Sequence, residues 1–340
     1  MATTSTTLTS WALLIWKALQ AHGCDSYSIF KQVGLDPDKL GDGNARYRLE
    51  EMTKLWNAAV EATGDPCFGL EAGKRWAPTS FHALGFAWLA SYMLKDALQR
   101  LVRYTRIVNN SLNAELEERG MNLHLTIESS EEAHDIHYAA VDATIAAIMV
   151  MCRMLCGEDF TPVEVRVAHA PSRCREPLER FVGAPVVYGA DRGQIVFDRM
   201  HAEKPLGTGN SELAQMNEEL VIKYLVKLDR SSMVMQVKAQ LLALLPEGAV
   251  SEETVAKQLN ISLRSLQRKL RDERTNFSAI YDAMRREMAG TYIQDSQMSM
   301  TEIAYLLGFS DQANFTRAFR RWYGHAPSEA RKNLQKVSLG

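Results

Sequence analysis

Residues 299–327, SMTEIAYLLGFSDQANFTRAFRRWYGHAP, constrain the fold of this chain more than any other stretch. The spacing predicts a short helix over residues 301–307, a tight turn at Gly308-Phe309-Ser310 and a longer helix over residues 311–323. Ile303, Ala304 and Leu307 put one apolar face on the first helix. Ala304 leaves room for a crossing partner, and Gly308 supplies the positive φ that the turn needs. Asp311 is placed to cap the second helix, where a carboxylate favours the free N–H groups and the dipole. Phe315, Phe319 and Trp322 recur at i, i+4 and i+7 and form a buried stripe. Gln312, Asn314, Thr316, Arg317, Arg320 and Arg321 occupy the other side. A helix with an aromatic inner stripe and an amide and guanidinium outer stripe suits the major groove of double-stranded DNA, where Arg reads guanine and Gln or Asn reads adenine. The pattern is a helix-turn-helix.

The same logic occurs 48 residues earlier. Ser251-Glu252-Glu253 is a capping signal with acids in the first turn. Val255, Ala256 and Leu259 stand where Ile303, Ala304 and Leu307 stand, and Ile261 takes the part of Phe309. Ser262 caps a helix over residues 263–273, with Leu263, Leu266 and Leu270 inward and Arg264, Gln267, Arg268 and Arg271 outward. Between the two copies, residues 277–293 read as one long helix with Ile280, Met284, Met288 and Tyr292 inward. Two heads on a connecting helix could enter successive major grooves roughly 34 Å apart. Arg264, Gln267, Arg268, Gln312, Asn314 and Arg317 are the candidates for base edges. Ser262, Lys269, Arg271, Thr316, Arg320 and Arg321 are the candidates for phosphates.

A chain of 340 residues has room for more than this module. Residues 1–30 read as a helix ending near Gly23. Further helices are predicted over residues 49–63, 68–75, 83–91 and 94–109. The period then changes from 3.6 to 2: residues 113–118 and 122–128 alternate around Arg119-Gly120-Met121, a hairpin signal. A long apolar helix over 134–157 follows, preceded by a short strand around Ile136. Then come a strand at 162–168, a helix at 172–182 and strands at 185–188 and 193–197. The expected architecture is an α+β ligand-sensing or dimerisation domain over residues 1–200, a linker and connecting helix over 201–230, and an all-α DNA-binding domain over 231–335.

Charge follows the same division. From residue 248 onward there are 14 Lys and Arg against 10 Asp and Glu, or +4, leaving −6 on the rest of a chain of net −2. The basic end permits DNA binding, and the motif carries it. Five cysteines, widely spread, read as reduced thiols in a cytoplasmic protein. No apolar run of about 18–20 residues suggests a membrane span, and no signal peptide is read at the N-terminus. His134-Asp135-x-His137 and Cys152-x-x-x-Cys156 have the spacing of ligand pairs, but capping and apolar filling explain them better, so no metal or cofactor is expected. A cysteine-dependent enzyme is the alternative from another class. It lacks an activating setting for any Cys, and Gly-rich phosphate loops, His-Glu-x-x-His and Gly-x-Ser-x-Gly are all missing. No enzyme is expected. Trp76, Phe81, Trp88, Tyr92, Arg103 and Tyr104 are candidates for a small-molecule pocket, with core packing the plainer explanation for each.

Residues 231–335 resemble the DNA-binding domain of the AraC/XylS family of bacterial transcription regulators. The resemblance rests on Ile303-Ala304, Gly308-Phe309, Phe315-Thr316-Arg317-Ala318-Phe319 and Gly324-His325-Ala326-Pro327. It extends to Ser262-x-Arg264-x-Leu266-Gln267-Arg268 and Arg285-x-x-x-Ala289. Ala330 stands where an aromatic usually precedes Arg331. The first 200 residues are similar to the arabinose-binding-like sensor domain of the branch typified by ornithine-utilisation regulators, through Gly34-Leu35-Asp36, Thr63-Gly64-Asp65-Pro66, Leu84-Gly85 and Gly183-Ala184-Pro185-Val186. The resemblance implies a homodimeric transcriptional activator that contacts RNA polymerase and responds to a small-molecule effector. A regulator with a vestigial sensor, controlled by its abundance, is the other reading.

Overall fold

The computed structural model describes residues 4–129, 136–229, 232–245, 248–294 and 298–338. The chain divides into two compact units, residues 1–206 and 207–340. The first mixes helices with sheet, and the second is helical.

The first unit opens with β1 (Thr6–Leu8), α1 (Thr9–Ala21) and α2 (Ser26–Gln32). The helix expected over residues 1–30 and ending near Gly23 is α1, with Gly23 at φ 73° just beyond it, and the structure adds a strand before it and a second helix after it. β1 pairs antiparallel with β2 (Arg46–Arg48), just ahead of α3 (Leu49–Thr63). At three residues each, β1 and β2 show no period, and the sequence pattern missed them. Then follow α4 (Phe68–Gly73), α5 (Ala83–Leu89) and α6 (Leu94–Val108). The hairpin is β3 (Leu112–Arg119) and β4 (Asn122–Ser129), in register from Leu112↔Ser129 to Arg119↔Asn122. After α7 (Tyr138–Cys156) come β5 (Glu164–Val167), α8 (Arg175–Val182), β6 (Val186–Tyr188), β7 (Gln194–Asp198) and α9 (Arg199–Ala202). The sheet order is β3-β4-β7-β5-β6, with β5 and β6 parallel and the other pairs antiparallel. Ile136 lies outside any strand, and His134 and Asp135 fall outside the described residues.

Two expectations are corrected here. α7, at 19 residues, is long and apolar enough by composition to cross a membrane, contrary to the reading that no such run exists. It instead supplies core: Ala139 and Ala143 pack with Phe68, Ala72 and the inner faces of α1 and α3. A Cβ on Gly69 would lie 2.1 Å from the Ala139 carbonyl oxygen, and one on Gly73 2.3 Å from that of Ala143, so α4 can cross α7 only with glycine there. The buried Asp142 of α7 meets His169 Nε2 at 3.1 Å. Burial disfavours the charged imidazole, but the bonds to Asp142 and the Ala170 carbonyl outweigh it and raise the His169 pKa.

The second correction concerns the cysteines. Cys67 and Cys174 form a disulfide, with Cα atoms 4.8 Å apart and a sequence separation of 107. Both sit immediately before helices, α4 and α8 respectively, so packing of these helices brings the sulfurs together. Burial pushes the Cys152 thiol well above its ordinary pKa and that of Cys156 up to about 11. Neither is an activated nucleophile.

The second unit runs α10 (Ser211–Leu228), α11 (Met233–Leu244), α12 (Glu252–Gln258), α13 (Leu263–Asp272), α14 (Phe277–Tyr292), α15 (Met300–Leu306), α16 (Gln312–Tyr323) and α17 (Pro327–Ser338). Its described residues form two apolar cores. Val237, Leu241, Val255, Ala256, Leu266, Leu270 and Ile280 belong to one. Ala289, Tyr292, Ile303, Ala304, Leu307, Phe315 and Phe319 belong to the other, in which Ala330 is also buried. Met288 packs against both, so α14 spans the two.

Candidate nucleic-acid interface

Each core holds one helix-turn-helix, and side-chain caps set where its helices begin. Ser251 accepts from the Thr254 N–H at 3.1 Å and Ser299 from the Glu302 N–H at 3.1 Å. Glu302 returns the contact to the Ser299 N–H at 2.7 Å, and these bonds lower its pKa. The outer helices are capped by Ser262, accepting from Ser265 at 3.2 Å, and by Asp311, accepting from Asn314 at 2.7 Å. The backbone bond from Asn314 also holds the Asp311 carboxyl below the usual range. In the turns, Gly308 has φ 67° and Asn260 has φ 54°. Asparagine tolerates the left-handed region better than other side chains, so Asn260 does in the first helix-turn-helix what Gly308 does in the second.

Leu266 and Leu270 of α13 and Phe315 and Phe319 of α16 are buried. On the opposite side of α13, Ser262, Arg264, Gln267, Arg268, Lys269 and Arg271 are exposed. On α16, Gln312, Arg317, Arg320 and Arg321 are exposed, while Asn314 and Thr316 are half-buried. The structure thus gathers the sequence-derived candidates onto the outer faces of two helices. With the caps as reference, Arg268 and Arg317 occupy equivalent positions, as do Arg271 and Arg320.

The polar side chains are bonded unequally. Gln267 Nε2 donates to Glu252 at 3.2 Å, and Gln312 Oε1 accepts from Thr301 at 3.1 Å, so each outer helix is tied to its own first helix. Asn314 donates to Ser310 at 2.8 Å and to Asp311 at 2.6 Å, and it accepts from Arg317 Nη2. Arg321 meets Asp282 of α14 at 2.5 Å, and Trp322 Nε1 donates to the same carboxylate at 2.9 Å. Arg321, exposed on α16, is thus paired with the connecting helix.

Between the heads lies a residue quoted above only for its family resemblance. Arg285 of α14 stacks over Tyr281 at 3.9 Å and over Phe309 at 4.4 Å from the ring centroids. Its Nη2 donates to Tyr281 Oη at 2.6 Å and to the Gly308 carbonyl at 2.7 Å. Tyr281 Oη in turn accepts from the Val250 N–H at 3.2 Å. One guanidinium thus connects the entry to the first head with the turn of the second.

The first unit contains a cavity of about 650 Å³ bounded by α3, α6, α7, β4 and β7. Of the six pocket candidates from sequence, only Phe81 lines it. Trp76, Trp88 and Tyr104 are buried core, with Trp88 Nε1 donating to the Met151 carbonyl at 3.0 Å. Arg103 lies over the Tyr104 ring at 5.5 Å, and the Tyr92 carbonyl accepts from the Leu206 N–H at 2.7 Å. The walls come from elements far apart in the chain, so no local run announced them.

Residues 23–206 match the family described as the arabinose-binding domain of AraC transcription regulator, N-terminal, and residues 255–333 match a helix-turn-helix domain. The chain is 27% identical over 311 residues to an ornithine utilization regulator of Pseudomonas aeruginosa, covering 92% of each. It is 22% identical over 317 residues to the HTH-type transcriptional regulator VirS of Mycobacterium tuberculosis, covering 91% of each. The crystal structure of transcriptional regulator CdpR from Pseudomonas aeruginosa aligns over 94% of this chain and 98% of that one, at 20% identity and a TM-score of 0.49. The chain belongs to the AraC family of transcription regulators, with an arabinose-binding-type N-terminal domain and a helix-turn-helix DNA-binding region.

Proposed function

We propose that this AraC-family regulator activates transcription as a homodimer at operators read by both of its helix-turn-helix heads, under control of a small molecule held in the N-terminal unit. The observation that carries the reading is the pair of capped outer helices, each with an apolar inner stripe and an Arg-rich outer face. Arg264, Gln267, Arg268, Gln312 and Arg317 read base edges. Ser262, Lys269, Arg271, Thr316 and Arg320 position the heads on phosphates, and Asn314 orients Arg317. Contact with RNA polymerase is part of the same proposal. The cavity supports an effector over a vestigial sensor, because a sensor freed of its ligand has no need of an interior of small-molecule size.

The test is capture of DNA bound by the protein in cells, followed by titration of purified protein on the recovered site. A two-part motif with half-sites about one helical turn apart is expected, together with loss of binding in Arg268→Ala and Arg317→Ala. Binding that is diffuse and steeply salt-dependent on every sequence would remove specific reading. Reporter expression that falls when the regulator is deleted supports activation, and expression that rises means repression.

A further inference from the structure

The cavity of the first unit has two chemically different parts. Its inner wall is apolar: Trp56, Leu101, Leu125, Ile145, Ile148 and Ile195 are buried in the fold and line it. Polar groups on that wall are largely committed to the protein. Thr7 donates to the Val108 carbonyl at 2.9 Å, Thr144 to that of Ala140 at 2.8 Å, and Gln194 Nε2 to Thr126 at 2.9 Å. Such an interior has little to offer the hydroxyls of a sugar or the two amines of a diamino acid, and burying them unpaired is unfavourable.

The rim is polar. Arg48, Lys54 and Arg166 line it at exposed positions, with Glu50 the one carboxylate among the lining residues. Arg48 and Lys54 share that carboxylate, at 3.7 and 3.0 Å. Arg48 also faces Glu51 at 3.9 Å and Arg166 is paired with Glu164, so each cation of the rim has an acidic partner. His137, at the start of α7, also lines the cavity. Its Nδ1 accepts from the Ala139 N–H at 3.2 Å, which leaves Nε2 to carry the proton of the neutral ring. That Nε2–H has no hydrogen-bond partner among the described residues. Burial, only partly opposed by Asp142, lowers the His137 pKa and keeps the ring in this form near neutral pH.

We propose that this cavity takes an amphipathic monocarboxylic acid, its hydrocarbon body against the apolar wall and its carboxylate at the polar rim, accepting from His137 Nε2–H. The inference rests on the reading of this unit as a sensor. It sets the ligand apart from the sugar and the diamino acid that appear in the names of the matched family and relative.

The experiment uses the full chain, with calorimetric titration and thermal melting against decanoate, decan-1-ol, arabinose and ornithine. Decanoate is expected to bind at one saturable site and raise the melting temperature, decan-1-ol to bind at least about tenfold more weakly, and the other two not to bind. His137→Ala should weaken decanoate by about tenfold, the worth of a charge-assisted hydrogen bond, and leave decan-1-ol unchanged. Ala140→Phe, which fills the cavity from α7, should abolish decanoate binding with circular dichroism unchanged. Should that variant unfold, the His137→Ala comparison decides alone. The proposal is overturned by no decanoate binding, by equal affinity for decan-1-ol, by binding that survives Ala140→Phe, or by arabinose or ornithine competing for the site. Operator titration with and without decanoate separates the two readings. Specific decanoate binding that leaves DNA affinity unchanged keeps the ligand class and removes the sensor role.

Discussion

Leu266 and Leu270 fill, in the first helix-turn-helix, the places that Phe315 and Phe319 fill in the second. One head has an aliphatic core and the other an aromatic one, in which Phe309, Phe315, Phe319 and Tyr323 pack at centroid distances of 4.6–5.9 Å. Their outer faces differ in the opposite sense. Arg264, Arg268 and Lys269 stand exposed without partners among the described residues, whereas Arg317 is held by Asn314. The first head must therefore order its reading side chains when DNA arrives, at roughly 0.5–1.5 kcal/mol each. The second meets DNA with more of that ordering done. One topology thus presents an adaptable head and a preorganised one.

Removing core from each head tests how separate they are. Phe315→Ala should cost about 3–5 kcal/mol and Leu266→Ala about 2–5 kcal/mol. Amide exchange should rise in α15 and α16 for the first variant and in α12 and α13 for the second. Loss of protection in both heads from either variant would mean that the two cores unfold as one.

Arg285→Ala removes the link between them. Two desolvated ring contacts and a charged hydrogen bond to a carbonyl suggest a loss of about 3 kcal/mol in thermal or denaturant unfolding. Arg285→Lys should recover only part of it, because an ammonium cannot stack flat between two rings. Affinity for the two-part operator should fall further than affinity for either half alone.

The reading faces come next. Arg268→Ala and Arg317→Ala should each cost about 1–3 kcal/mol of operator binding and relax one base position. Asn314→Ala should couple to Arg317→Ala by at least about 0.5 kcal/mol in a double-mutant cycle. Strict additivity would show that the Asn314 bond does not prepare Arg317 for DNA. The turns give the smallest effect. Asn260→Ala should destabilise the first head by about 1 kcal/mol, and Asn260→Gly should be near neutral. Gly308→Ala should cost more, since its Cβ would also approach Tyr281 Oη at 3.0 Å.

The heads were legible from sequence because their information is local. Caps, turn residues and a 3.6 period all fall within about one helix-turn-helix length, and burial of Phe315 or Leu270 follows from the period alone. The same pattern exposed the reading candidates as a face, although it had no means to show that Arg321 would pair with Asp282. In the first unit the hairpin and most helices were legible for the same reason, and the three-residue strands β1 and β2 were not.

Amino-acid order alone determined the two capped heads, the connecting helix, the α+β character of the first unit and the family. Tertiary structure decided the rest. It placed α7, apolar enough for a bilayer, within a protein core by packing Ala139 and Ala143 against Gly69 and Gly73. It joined Cys67 to Cys174 and gathered Trp56, Leu125, Ile148 and Ile195 around one cavity. Helix periodicity reports which side of a segment is buried, through the free energy of removing apolar area from water. It carries no term for which distant segment covers that side, and such pairings are settled only when the whole chain packs.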